Sequence, residues 1–124
     1  MSTILIVDDH AAIRTAVRDL FLSRFESVEC GEAENGAEAI VKAQKLKPDL
    51  IVLDVSMPVM NGFEAARVLR RILPSVPVFL LTAHYVEATK RTALELGIRA
   101  VFSKHDDLAP LVSHARAVLQ PLSA

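Results

Sequence analysis

Ile4-Leu5-Ile6-Val7-Asp8-Asp9 sets four consecutive apolar residues directly before two carboxylates. An unbroken apolar run of this length reads as a strand covered on both faces, the mark of a parallel sheet. The pattern recurs three times. Leu50-Ile51-Val52-Leu53 stops at Asp54, Val78-Phe79-Leu80-Leu81 stops at Thr82, and Ala100-Val101-Phe102-Ser103 stops at Lys104. In parallel strands, three carboxylates, a hydroxyl and an ammonium then meet at one sheet edge. That edge is where open α/β sheets bind ligands.

Helical patterns fill the spaces between the runs. Ile13, Val17, Leu20 and Phe21 repeat at helical spacing, and Ser27 to Ala33 is a weaker strand candidate. Asn35-Gly36 makes a turn or a helix start. Ala37, Ile40, Val41 and Gln44 give the next helix a small-residue face, ended by Pro48-Asp49. Val55 to Gly62 reads as a loop held by Pro58 and Asn61-Gly62. Phe63, Ala66, Leu69 and Leu73 form another helix face, with Pro74 and Pro77 at its exit. Val86 to Leu96 is a less apolar helix ending at Gly97, a residue suited to a helix C-terminus. Leu108, Leu111, Val112, Ala115 and Leu119 mark the last helix, closed by Pro121. Strand and helix thus alternate five times, which predicts a doubly wound α/β sheet.

The 124 residues suit one compact domain, and about half of them are apolar, at 52%. A formal charge of −1 gives no basic footprint for nucleic acid. Cys30 is the single cysteine, so no internal disulfide forms; a reduced cytoplasmic setting and a small buried side chain are expected for it. The apolar runs are too short to span a bilayer. Met1-Ser2-Thr3 carries no basic leader, so no signal peptide is expected.

Clustered carboxylates repel one another, and a folded site answers by raising a pKa or holding a cation. An all-oxygen acidic site suits Mg2+ better than a softer metal. A carboxylate can attack phosphorus to give an acyl phosphate. Lys104 and a cation would neutralise phosphoryl oxygens from two sides, and Thr82 would donate to a third. Each residue also has a plain alternative. Asp8 or Asp9 serves as a helix N-cap, Asp54 as a turn former, Thr82 as a cap and Lys104 as a solvated charge. Their joint placement at strand ends favours phosphoryl transfer onto an aspartate. His10, His84, His105 and His114 have no metal-ligand spacing with a cysteine and read as surface or loop residues.

Ile4 to His10, Leu53 to Gly62, Leu81-Thr82-Ala83 and Ser103-Lys104 together resemble a response-regulator receiver domain of two-component signalling, over essentially the whole chain. The segment from Asp54 through Met57-Pro58 and Met60 to Gly62 is the most specific part. The Asp8-Asp9-His10 opening, and Lys104 without a following proline, resemble most the NarL/FixJ class. The resemblance implies a flavodoxin-like fold of five parallel strands in the order 2-1-3-4-5 with five helices. Right-handed crossovers restrict the topologies, but this order belongs to the known architecture and is not dictated by the residues. It sets strands one and three side by side, which makes Asp8, Asp9 and Asp54 neighbours.

The resemblance further implies that Asp54 is the phosphoacceptor. Asp9, Asp54 and the backbone carbonyl of Ser56 would be Mg2+ ligands, and Asp8 would act mainly through a water. Lys104 would contact the phosphoryl group, Thr82 would be the switch hydroxyl, and Ala83 would leave room for the group. Ser56 and His84 take the two variable positions that tune phosphorylation and dephosphorylation rates. The chain is then a phosphoacceptor rather than an enzyme, and a Mg2+-dependent hydrolase is the alternative. Such phosphatases usually place a second Asp two residues after the nucleophile, where Ser56 stands here. A purely structural acidic site is a third reading.

Two positions depart from the family pattern. Val101 stands where a switch aromatic is usual, and Phe102 falls one place later, on the opposite strand face and so in the core. His105 replaces a frequent proline, which makes a cis bond there costly. The implied partners are a sensor histidine kinase or phosphotransfer protein and a DNA-binding output domain, with dimerisation on phosphorylation. Neither nucleic acid nor membrane is bound directly. The switching surface would be the fourth helix, fifth strand and fifth helix, with Arg91, Arg99 and Val101 as candidates. Residues 1–124 are expected to form the receiver alone, either standing by itself or cut at a linker after Pro121.

Overall fold

The computed structural model describes residues 1–119. Five parallel strands form one sheet in the order β2-β1-β3-β4-β5. The strands are β1 (Ser2–Val7), β2 (Val28–Ala33), β3 (Leu50–Leu53), β4 (Val78–Thr82) and β5 (Ala100–Ser103). The helices are α1 (Ala11–Arg24), α2 (Gly36–Leu46), α3 (Gly62–Ile72), α4 (Glu87–Glu95) and α5 (Ala109–Leu119). The expected order 2-1-3-4-5 is therefore the observed one. Pro121, read as the stop of the last helix, lies outside the described residues.

β1, β3 and β4 occupy the middle of the sheet. Ile4 to Val7, all of β3 and all of β4 are buried, as continuous apolar runs require. β2 and β5 lie at the edges and are only partly covered. Alternate side chains supply two core layers. Leu5, Val7, Ile51, Leu53 and Leu80 pack with α2 and α3 residues on one face. Ile4, Ile6, Val52, Phe79 and Leu81 pack with α1 and α5 residues on the other.

The face of α2 differs from the expected one. Its buried residues are Gly36, Ala39 and Ala43, while Val41 and Gln44 point outward. The reason is close approach to the segment opening α3. A Cβ on Gly36 would stand 2.7 Å from the Met60 carbonyl oxygen and 2.9 Å from the Ala65 Cβ. Small side chains therefore decide the buried face. Asn35 resolves its own alternative by capping α2, its side chain accepting the Glu38 N–H at 2.9 Å. Asn61 and Glu64 form a reciprocal capping box that starts α3. Gly97 adopts φ +76° just past α4, the left-handed conformation favoured there.

Val101 and Phe102 take opposite faces of β5. Val101 packs against the α2–α3 side of the core and Phe102 against the α1–α5 side. Phe102 meets Phe79 and His114 with ring centroids 5.6 Å and 5.2 Å away. Among the described residues no peptide bond is cis, the one before His105 included. Cys30 is half-buried, and burial pushes its thiol pKa up. No helix among the described residues is long and apolar enough to cross a membrane.

Candidate functional site

Register decides which strand ends meet. Val7 pairs with Leu53 across β1 and β3, and the Asp54 N–H donates to the Val7 carbonyl at 3.0 Å. Asp8 and Asp54 consequently leave adjacent strands at the same level. On the other side, Thr82 pairs with Ser103, and the Lys104 N–H donates to the Thr82 carbonyl at 2.9 Å. Lys104 thus starts from an edge strand, yet its side chain reaches back over β4. Its Nζ lies 2.5 Å from Asp8 Oδ2 and 3.2 Å from Asp54 Oδ2. All three side chains are nearly buried, at 11%, 3% and 5% exposure.

Burial raises the Asp54 carboxyl above its ordinary range, and the charge of Asp8 adds to this. Lys104 and the Val55 N–H, which donates to Asp54 Oδ1 at 2.8 Å, oppose the rise without cancelling it. Burial pulls Lys104 down, but Asp8 and Asp54 outweigh it and hold the ammonium above its usual value. One ammonium therefore faces more negative charge than it neutralises. Asp9 is partly exposed, but its Oδ1 is buried and has no hydrogen-bond partner among the described residues. His10 Nδ1 lies 3.1 Å from that oxygen, without hydrogen-bond geometry. A negative set with one buried, unbonded oxygen is suited to a hard divalent cation.

The plain readings fare unevenly. The N-cap of α1 is His10, and its side chain makes no capping bond. Asp8 instead accepts the His10 N–H at 2.9 Å through Oδ1. Thr82 is buried, and its hydroxyl accepts the His84 N–H at 3.1 Å. Ser56 is exposed in the loop between β3 and α3. That loop closes through the Gly62 N–H donating to the Val55 carbonyl at 2.8 Å.

Two neighbours escaped sequence reasoning. His10 turns its ring onto Asp8 and Asp9. Arg14 donates from Nη1 to the Asp8 carbonyl at 2.7 Å and from Nε to Glu32 at 3.0 Å, tying the acidic turn to β2. A signal for Arg14 did exist. It is a cation near the start of α1, the end that favours anions, in line with Val17 and Phe21.

A family model for the response regulator receiver domain matches residues 4–116. The protein-glutamate methylesterase/protein-glutamine glutaminase of Pyrococcus abyssi is 45% identical over 96 residues, covering 76% of this chain and 26% of that protein. Response regulator GacA of Pseudomonas viridiflava is 33% identical over 118 residues, covering 95% of this chain and 55% of GacA. A LuxR-family two-component response regulator from Aurantimonas superposes with a TM-score of 0.87 at 30% identity. That match covers 95% of this chain and 84% of the other. The chain spans little more than half, or less, of the curated relatives it matches.

Proposed function

The chain belongs to the response-regulator receiver family, and on that premise we propose that Asp54 accepts a phosphoryl group from a sensor histidine kinase or phosphotransfer protein. The observation that carries this reading is the Lys104 ammonium drawn between Asp8 and Asp54 at one sheet edge. Asp8, Asp9, Asp54 and the Ser56 carbonyl would hold Mg2+, the buried Asp9 oxygen supporting the fit. Bound there, the cation supplies positive charge against the phosphoryl oxygens.

In the transfer, an Asp54 carboxylate oxygen attacks phosphorus. The O–P bond forms as the N–P bond of phosphohistidine breaks, and the imidazole leaves with the electron pair. Lys104 moves from the carboxylates to a phosphoryl oxygen. The Thr82 hydroxyl, held by the His84 N–H, still has its own proton to donate to a second oxygen. Its rotation draws the loop carrying His84 and Tyr85, next to a groove of about 510 Å³ bordered by α4, β5 and α5. Val101 lines that groove where a switch aromatic is usual, so the loop itself transmits the change. A switch from 1:99 to 99:1 needs roughly 5.5 kcal/mol. Charge-assisted bonds of roughly 1.5–3 kcal/mol each to the phosphoryl group supply much of it. The output is a DNA-binding domain or partner, residues 1–124 act as the receiver unit, and the chain does not turn over a substrate.

Incubation with acetyl phosphate and MgCl2 tests this. Intact-mass spectrometry should show one added phosphoryl group in the wild type and none in Asp54→Ala. No gain in the wild type, or an equal gain in Asp54→Ala, defeats the reading.

A further inference from the structure

His10 has no part in the phosphoryl chemistry above, yet its ring turns into the acidic set. Nδ1 is hydrogen-bonded to Asp8 Oδ1 at 3.2 Å and lies 3.1 Å from Asp9 Oδ1. One donor atom from each of the three residues falls within 4.8 Å of the others. Ligands bonded at about 2.0–2.1 Å around a tetrahedral or octahedral cation sit roughly 2.8–3.4 Å apart. Both nitrogen–oxygen spacings fall in that range, so a cation that replaces the hydrogen-bonded proton finds its donors already close. Asp9 Oδ1 is buried beside the ring without a hydrogen bond, an acceptor left over for a cation. The ring itself is 68% exposed, so it can swing to complete a shell without disturbing the core.

Donor chemistry then matters. Mg2+ prefers oxygen and keeps waters, whereas imidazole nitrogen suits Ni2+ and Zn2+. We propose that His10 is a cation-specificity residue, which adds a nitrogen donor to Asp8 and Asp9 and biases this receiver's site toward late transition metals. The inference rests on the acidic set being a divalent-cation site. Oxygen-only sites also bind Ni2+ more tightly than Mg2+. The diagnostic is therefore the change in the Ni2+/Mg2+ affinity ratio when the ring is lost.

Titration calorimetry with NiCl2 and with MgCl2 on the full chain, His10→Ala and Asp9→Asn measures that ratio. His10→Ala should weaken Ni2+ binding roughly tenfold or more while leaving Mg2+ within about threefold. Asp9→Asn should weaken both. Paramagnetically shifted imidazole resonances should appear with Ni2+ in the wild type, vanish in His10→Ala and be displaced by excess MgCl2. Loss of the resonances in His10→Ala separates His10 from His84, His105 and His114. An unchanged ratio in His10→Ala, with Mg2+ binding intact, overturns the role of His10 alone. Loss of any Asp9-dependent binding in the wild type removes the cation site itself, and this inference with it.

Discussion

Gly62→Ala should damage both the fold and the site, because the obstacle to a methyl group there is backbone. A Cβ at position 62 would stand 1.9 Å from the Asp54 carbonyl oxygen, 2.8 Å from its carbon and 3.0 Å from Val55 Cα. Reaching a separation of even 3.0 Å requires a shift of about 1.1 Å, the difference 3.0 − 1.9. The shift cannot be local. Gly62 N–H holds the Val55 carbonyl, and Asp54 N–H holds β1 through Val7. Overpacking costs about 1–3 kcal/mol, and a lost loop hydrogen bond about 1 kcal/mol more. Alanine regains at most about 1 kcal/mol in helix propensity. The net loss is about 1–3 kcal/mol, or roughly 4–12 °C in Tm for a domain of this size. Urea denaturation followed by circular dichroism measures it. Phosphoryl uptake should also fall, since misplacement of a reacting group by about 1 Å can cost about a hundredfold. Gly97→Ala is the control. Its Cβ would meet only the Arg70 guanidinium, the far end of a flexible side chain. What remains is the strain of φ +76°, about 1–2 kcal/mol. Gly62→Ala within about 0.5 kcal/mol of wild type, with normal uptake, would refute the argument.

Further outcomes follow from the charges and the backbone. Asp54→Asn should stabilise the metal-free protein at pH 7, because it removes a buried carboxylate repelled by Asp8. With the folded pKa of Asp54 raised, the native state binds the extra proton, so wild-type stability gains relative to the variant as pH falls through that raised value. Parallel melts from pH 7 to 4 check this, and a gap that widens on acidification refutes it. Lys104→Met should cost about 3 kcal/mol at neutral pH by leaving two buried carboxylates unpaired, and less in acid as Asp54 takes up a proton. The raised Lys104 pKa means that its contribution is intact below the usual lysine value of 10.5 and is lost only as pH rises through the higher folded value. Val59 is 83% exposed with φ +69°, a strained conformation for a β-branched residue. Val59→Asn should therefore stabilise by about 0.5–1 kcal/mol, read from the urea midpoint.

Much of the architecture was legible along the chain. The apolar runs became β1, β3, β4 and β5, and the expected helices fell within a few residues of the observed ones. The edge strand β2 was harder to read. β2 mixes Glu29, Gly31 and Glu32 into its run because an edge strand is covered incompletely. The buried face of α2 was misread for a related reason. Its inward residues are small because α3 lies close, and closeness of a partner leaves no periodic mark in the helix itself. Val101 and Phe102 were assigned correctly to opposite faces, since alternation along a strand is a local property.

What the sequence by itself determined is the set of elements and the polar residues that end the strands. Hydrophobic periodicity is carried by each segment, so Asp8, Asp9, Asp54, Thr82 and Lys104 could be placed at strand ends without coordinates. Only the tertiary structure decided who meets whom. Register and strand order bring Asp8 and Asp54 to one level, and the reach of Lys104 across β4 joins them. The ring of His10 on the acidic pair and the guanidinium of Arg14 on the Asp8 carbonyl are side-chain directions set by packing. The raised pKa of Asp54 has the same origin. Burial and charge–charge repulsion depend on distance through space, and separation along the chain carries no record of it.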